Sequence, residues 1–268
     1  MSSNGTSERE APSGGKTAHP ISTGTWPRTR PTPNGTQRLA AHAREDPELT
    51  KAAFFDVDGT LLDSVDLHAL SWHEAMVKFG HDVSFEQARG QIGKGGDKLI
   101  PQLLSEEAQR DHGNEMEEWR SNRFKSQYLP LVRPFSAVPD LLRRVRDAGV
   151  RIAVASSAKK DELAKYLEIA GIGDLVDVTT SSDDVQESKP APDIFEAVLK
   201  KLGVEGHDAV AIGDTPYDAE AARKAQIAIV GVLCGGFTGS SLRQAGCVQV
   251  YPGPAALLAC FRDSLLAR

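Results

Sequence analysis

From residue 52 onward, short apolar runs ending in acid, glycine or serine alternate with stretches whose apolar positions recur at helical spacing. The runs are Ala52–Asp58, Val150–Ala155, Leu175–Thr179, Asp208–Asp214 and Ile227–Val232. Unbroken apolar runs of this length are the mark of strands buried on both faces, the situation inside a parallel sheet. Helical patterns occupy residues 138–148, 158–170, 192–202 and 216–225. Strand and helix alternating in this way predict an α/β fold, a doubly wound parallel sheet.

The stretch from Val65 to Arg133 interrupts the alternation. Its patterns are helical throughout, over Leu67–Phe79, Phe85–Gln91, Lys98–Leu104 and the charged Glu106–Tyr128, with no strand-like run between them. A block of roughly 70 residues is too long for a simple crossover between two strands. It predicts a helical cap at 65–133 lying over the end of the first strand, with the α/β core made of 49–64 and 134–268. Residues 1–48 are rich in Ser, Thr, Gly and Pro and nearly free of aliphatic side chains before Leu39. Such a stretch buries too little surface to offset its chain entropy, so it is predicted to be a disordered tail. Its arginines leave an organelle-transit reading open, which Glu8, Glu10, Glu45, Asp46 and Glu48 dilute.

Composition narrows the picture a little. The formal net charge of −6 gives no basic face for nucleic acid. No apolar run is long enough to span a bilayer, and the N-terminus lacks an apolar signal core. Three cysteines, Cys234, Cys247 and Cys260, have no metal-ligand spacing. They fit a reduced cytoplasmic setting and read as small apolar residues in or near the core.

Four clusters carry chemistry, and each sits where a predicted strand ends. Ligands in open α/β sheets bind beyond the carboxyl ends of the strands. The first cluster is Asp56-Val57-Asp58-Gly59-Thr60, in which a turn at Gly59 can bring the second carboxylate back over the site. One acid can then attack phosphorus while the other handles the leaving group's proton. Ser156 and Ser157 close the second strand, where a hydroxyl and backbone amides can hold phosphate oxygens, though serine there also caps helices. Lys189, in Ser188-Lys189-Pro190, can offset phosphate charge or be a solvated lysine before a helix. Asp214 and Asp218, in Gly213-Asp214-Thr215-Pro216-Tyr217-Asp218, can face a hard cation such as Mg²⁺ or merely complement a helix dipole.

Taken together and in this order, the four clusters resemble the motifs of the haloacid dehalogenase-like hydrolase superfamily, over residues 52–260. The chain is similar to the helical-cap branch that includes phosphoglycolate phosphatases and β-phosphoglucomutases. The resemblance implies a Rossmann-like core and a magnesium-dependent phosphatase acting on a small phosphorylated metabolite, a sugar phosphate or a phosphoglycolate-like acid. It implies that Asp56 attacks phosphorus to form an aspartyl-phosphate, and that Asp58 protonates the leaving alcohol and then activates water. Mg²⁺ would be held by Asp56, the Asp58 backbone carbonyl and Asp214, with Ser156 on the phosphoryl group, Lys189 neutralising charge and Asp218 orienting the cluster. Dehalogenases of the superfamily lack an acid matching Asp58, which argues against dehalogenation.

Within the cap, Ile92–Lys98 falls where related chains carry a substrate-specificity loop, so Lys94 and Lys98 are expected to meet a distal acidic group or to be solvated. His68 lies ten residues after Asp58 with Trp72 four further on, similar to the β-phosphoglucomutases, where the histidine contacts the acid/base aspartate. Those mutases also carry a phosphate-binding arginine where Gly96 stands here. The alternatives are therefore a phosphosugar mutase, or a binding protein that keeps the fold without turnover. Oligomeric state is left open.

Overall fold

A computed structural model describes residues 50–268. The tail expected over 1–48 lies outside the described residues. Eight strands are present among them: β1 (Ala52–Phe55), β2 (Leu62–Asp63), β3 (Arg133–Pro134), β4 (Arg151–Ala155), β5 (Val178–Thr180), β6 (Ala209–Gly213), β7 (Ala228–Val232) and β8 (Gln249–Tyr251). The helices are α1 (Val65–Lys78), α2 (Phe85–Arg89), α3 (Gly96–Leu103), α4 (Glu106–Arg123), α5 (Val138–Asp147), α6 (Lys160–Ala170), α7 (Asp193–Leu202), α8 (Pro216–Lys224), α9 (Gly239–Ala245) and α10 (Pro254–Ala259).

Six strands form one sheet in the order β5-β4-β1-β6-β7-β8, and every pairing in it is parallel. The chain winds outward from β1 in both directions, which places a switch point at the carboxyl end of β1. The sheet is Rossmann-like, as the alternation predicts.

The period of two along each strand decides what lies on either face. Ala53, Phe55, Ile152, Val154, Val210 and Ile212 enter one apolar cluster with α5, α6 and α10. Their neighbours Ala52, Ala153, Ala155, Ala209 and Ala211 enter another with α7, α8 and α9. The second face is alanine-rich, and α8 meets it with Ala219, Ala221 and Ala222, so small side chains allow helix and sheet a close approach. Elements of the expected cap, α1 to α4, share a third cluster around Trp72, Met76, Leu99 and Met116. The chain leaves for these helices from β2 and returns through β3, which pair antiparallel as Leu62↔Pro134 and Asp63↔Arg133.

Several expected boundaries move. The run read as Leu175–Thr179 is a strand only over Val178–Thr180, because Leu175 and Val176 pack into the core ahead of it. The long pattern Glu106–Tyr128 is α4 followed by a π-helical turn, Phe124–Tyr128. Of the cysteines, Cys247 is buried and Cys234 half-buried, whereas Cys260 is exposed; all three are free thiols. No helix among the described residues is long and apolar enough to cross a membrane.

Candidate active site

Three neighbouring strands each present one residue just past their ends: Asp56 after β1, Ser156 after β4 and Asp214 after β6. Asp56 is held in line by its amide, which donates to the Ile212 carbonyl (2.9 Å) and extends the ladder by one step. The chain then turns sharply. The amides of Thr60, Leu61 and Leu62 all converge on the Val57 carbonyl, and Gly59 adopts φ +78°, the left-handed region that glycine enters without strain. This turn brings Asp58 back toward the site, where its Oδ1 accepts from Ser64 Oγ (2.5 Å) and faces His68 Nε2 (3.0 Å).

Lys189 is buried, and its ammonium is fully occupied. It lies 2.5 Å from Asp56 Oδ1, 2.7 Å from Asp218 Oδ1 and 3.2 Å from the Ala155 carbonyl. Asp218 is locked from its other side, since Oδ2 accepts from the Thr215 amide (3.1 Å) and hydroxyl (2.6 Å) in the capping box that starts α8. Asp214 accepts from Thr60 Oγ1 (3.2 Å) through Oδ1, while its buried Oδ2 has no hydrogen-bond partner.

Asp56, Asp214 and Asp218 each offer an oxygen within 4.8 Å of the others. Three buried carboxylates thus share one ammonium, and an uncompensated buried charge costs several kcal/mol. The chain answers by shifting its proton affinities. Burial pushes the Asp56 carboxyl up to about 7, against the pull of Lys189 and with further push from Asp218 and Asp58. Burial, with Asp56 and Asp218, drives Asp214 well above the carboxylate range. Burial pulls the Lys189 ammonium down, but Asp218 and Asp56 outweigh it and hold it above its ordinary value. Asp58 runs the other way: burial favours its neutral form, yet His68, Ser64 and Arg120 together keep it below the usual carboxylate value.

The donor set suits a hard divalent cation, being oxygen only and over-charged without one. Two glycines let the backbone close on this carboxylate: a Cβ on either Gly59 or Gly235 would overlap the unpartnered oxygen of Asp214.

A cavity of about 890 Å³ opens above the cluster. Asp56, Asp58, Ser157 and Lys159 line its floor, and His68, Trp72, Lys94, Glu117 and Arg120 are among the lining residues from the helical stretch. Ser156 is buried beneath, its hydroxyl accepting from the Ala158 amide (3.1 Å), and it is not among the lining residues. Lys94 lines the cavity, but its ammonium donates to Gln91 Oε1 (2.6 Å) and rests 4.4 Å over the Tyr217 ring. Lys98 does not line it and pairs with Glu187 (2.7 Å) on an exposed face.

Sequence reasoning missed four side chains around Asp58. Arg120 donates to His68 Nδ1, the Tyr166 hydroxyl lies 3.0 Å from His68 Nε2 and donates to Glu162 Oε1 (2.5 Å), and Ser64 donates to Asp58 itself. It also missed the bridge that holds the Ile92–Lys98 loop beside Lys189. In that bridge the Gly95 amide donates to Ser188 Oγ (3.0 Å) and the Ser188 amide donates to Asp97 Oδ2 (3.2 Å).

The family description haloacid dehalogenase-like hydrolase matches residues 53–232. A phosphoglycolate phosphatase of Pectobacterium atrosepticum is 30% identical over 186 residues, which is 68% of this chain and 79% of that protein. Another, from Aquifex aeolicus, is 27% identical over 180 residues, 65% of this chain and 81% of that protein. The crystal structure of a hydrolase from Pseudomonas syringae superposes with a TM-score of 0.71 at 26% identity, covering 80% of this chain and 98% of that one.

Proposed function

The chain belongs to the haloacid dehalogenase-like hydrolases, and from that premise we propose that it is a Mg²⁺-dependent phosphatase of a small phosphorylated metabolite, working through an aspartyl-phosphate on Asp56. The observation that carries the reading is the buried group of Asp56, Asp214 and Asp218 around Lys189, with Asp58 beside it at the cavity floor. Phosphoryl transfer asks a protein mainly for positioning and charge neutralisation, and this arrangement supplies both.

In this mechanism Lys189 holds Asp56 by Oδ1 and leaves the other oxygen to attack phosphorus. The P–O bond to the alcohol breaks as the Asp56–phosphorus bond forms, and Asp58 gives its proton to the departing oxygen. For this step Asp58 must be protonated, and the incoming phosphate dianion raises its proton affinity as a like charge close by. Once the alcohol has gone, Asp58 is the anion that its neighbours favour, and it takes a proton from the water that attacks the aspartyl-phosphate. Ser157, which lines the cavity at the end of β4, would hold phosphoryl oxygens. Mg²⁺ would be held by Asp56, Asp214 and the Asp58 backbone carbonyl, where it supplies positive charge to the transferring phosphoryl group.

Hydrolysis is favoured over mutase chemistry by Gly96, which stands where the resemblance puts the mutases' phosphate-binding arginine: it brings no cation, and a Cβ there would meet the Glu117 carboxylate at 2.9 Å. Phosphate release from a panel of phosphorylated metabolites, with and without Mg²⁺, tests the proposal. Selective release that stops when the metal is chelated is expected. Isomerisation of glucose phosphate without phosphate release would replace it with a mutase.

A bound cation would also show in stability. Asp56 holds its proton up to about pH 7 in the fold, against 3.8 for an ordinary aspartate, so the folded chain binds more protons than the unfolded one across that window. Without metal, stability should therefore fall as pH rises from about 4 to about 7. Mg²⁺ should raise the melting temperature at pH 8 and do little at pH 5, where protons compete for the same oxygens. Calorimetry in EDTA and in Mg²⁺ reads this directly; equal shifts at both pH values would count against the site.

A further inference from the structure

Resting on the phosphatase reading, we infer that Arg120 is a positioning residue for the acid/base carboxylate: it fixes the tautomer of His68, and through it the oxygen that Asp58 offers to the leaving group. Arg120 lies on α4 and reaches back to α1 across 52 residues of sequence. Its Nη2 donates to His68 Nδ1, and its Nε donates to Ser71 Oγ (3.1 Å). Ser71 in turn donates to the His68 carbonyl (2.8 Å). The guanidinium plane is braced by two rings, Trp72 and Phe124, each 5.1 Å away. Phe124 also stacks flat on His68, with centroids 3.9 Å apart and planes 8° apart, so the imidazole is held in plane as well as in direction.

A guanidinium has donors only and keeps its proton. The ring nitrogen it meets must accept, so Nδ1 is bare and the ring hydrogen sits on Nε2. That nitrogen lies 3.0 Å from Asp58 Oδ1 and 3.0 Å from the Tyr166 oxygen, whose own proton is given to Glu162. Asp58 Oδ1 therefore receives two donors, Ser64 Oγ and His68 Nε2. Oδ2 receives none from the described residues, and Asp58 lines the cavity. Oδ2 is thus the oxygen that carries the transferable proton. With the ring turned or its hydrogen on Nδ1, Oδ1 would lose a donor and the two carboxylate oxygens would no longer be distinguished.

Arg120→Met keeps the length of the side chain and its packing on both rings while removing the donors. Ring-nitrogen NMR of selectively labelled histidine is the direct readout. Wild type should show His68 with a bare Nδ1 and a protonated Nε2, and Arg120→Met should show a proton on Nδ1. In turnover, kcat should fall roughly 10- to 100-fold, the range for lost orientation of a reacting group by an outer partner, with KM within about twofold. Arg120→Lys, which restores a donor, should recover part of the rate and the bare Nδ1. An unchanged Nδ1 signal in Arg120→Met would overturn the proposal. So would a raised KM at unchanged kcat, which would make Arg120 a ligand of the substrate. If wild type hydrolyses no phosphate ester, the phosphatase reading fails on its own, and the nitrogen signal still decides whether Arg120 governs His68. If Arg120→Met folds poorly, Arg120→Leu, which likewise removes the donors and keeps an apolar stem, should give the same protonated Nδ1, and an unchanged signal there would equally overturn the proposal.

Discussion

Asp56→Asn is expected to abolish phosphate release while leaving the fold intact. Removal of a nucleophile that works as part of a set typically costs about 10⁴- to 10⁶-fold in kcat, because no neighbour takes over the covalent step. Stability should move the other way. Asp56 is buried and burial pushes its carboxyl up to about 7, so its charged form is a burden on the fold above that pH. An amide carries no charge to desolvate, and Lys189 keeps Asp218 at 2.7 Å as its partner. The variant should therefore melt at or above the wild-type temperature in EDTA at pH 8. Phosphate release and a thermal scan on the same sample give both readings, and residual turnover within tenfold of wild type would exclude Asp56 as nucleophile.

Lys189→Met should be inactive as well, but for it the fold should suffer. The ammonium that faces both Asp56 and Asp218 is gone, and three buried carboxylates remain together. Removing one partner of a buried ion pair costs about 3–5 kcal/mol, which for a domain of this size is roughly a 10 °C drop in melting temperature. The penalty should shrink at pH 5, where Asp56 and Asp214 take up protons and the repulsion fades. Melting curves of Lys189→Met at pH 8 and pH 5 separate this electrostatic cost from lost packing. A loss equal at both would mean that the lysine's stem, not its charge, matters.

The sheet was legible because its strands are buried on both faces and so read as plain apolar runs. The exceptions share a cause. β8 is Gln249–Tyr251, a half-buried edge strand with no apolar run, and β2 and β3 are two residues each, too short to leave any period. Asp56, Asp58 and Asp214 were legible as chemistry because strand ends announce them, and Lys189 through the Lys-Pro motif that leads into α7. Their mutual distances were not, since Lys189 reaches Asp56 across 133 residues. Arg120 left no signal at all: it sits in a helix that is polar nearly all round, so its one inward-facing role is hidden among solvated charges. The reading of Lys98 as a cavity residue goes unsupported for a related reason, because spacing along a glycine-rich loop does not say which way a long side chain turns, and here it turns to Glu187.

The paired steps at Leu62↔Pro134 and Asp63↔Arg133 bear on how such a chain could be recombined. Exit and return of the helical stretch lie a single hydrogen-bonded ladder apart, so a foreign helical unit could be spliced in there with the sheet's connectivity undisturbed. The graft would not be free of consequence for the chemistry. His68 and Arg120 would leave with the old unit, and Asp58 would keep Ser64 but lose the imidazole that marks one of its oxygens. A donor unit must therefore bring its own partner for that carboxylate, and compatibility between grafts would be set by this one contact more than by the shape of the seam.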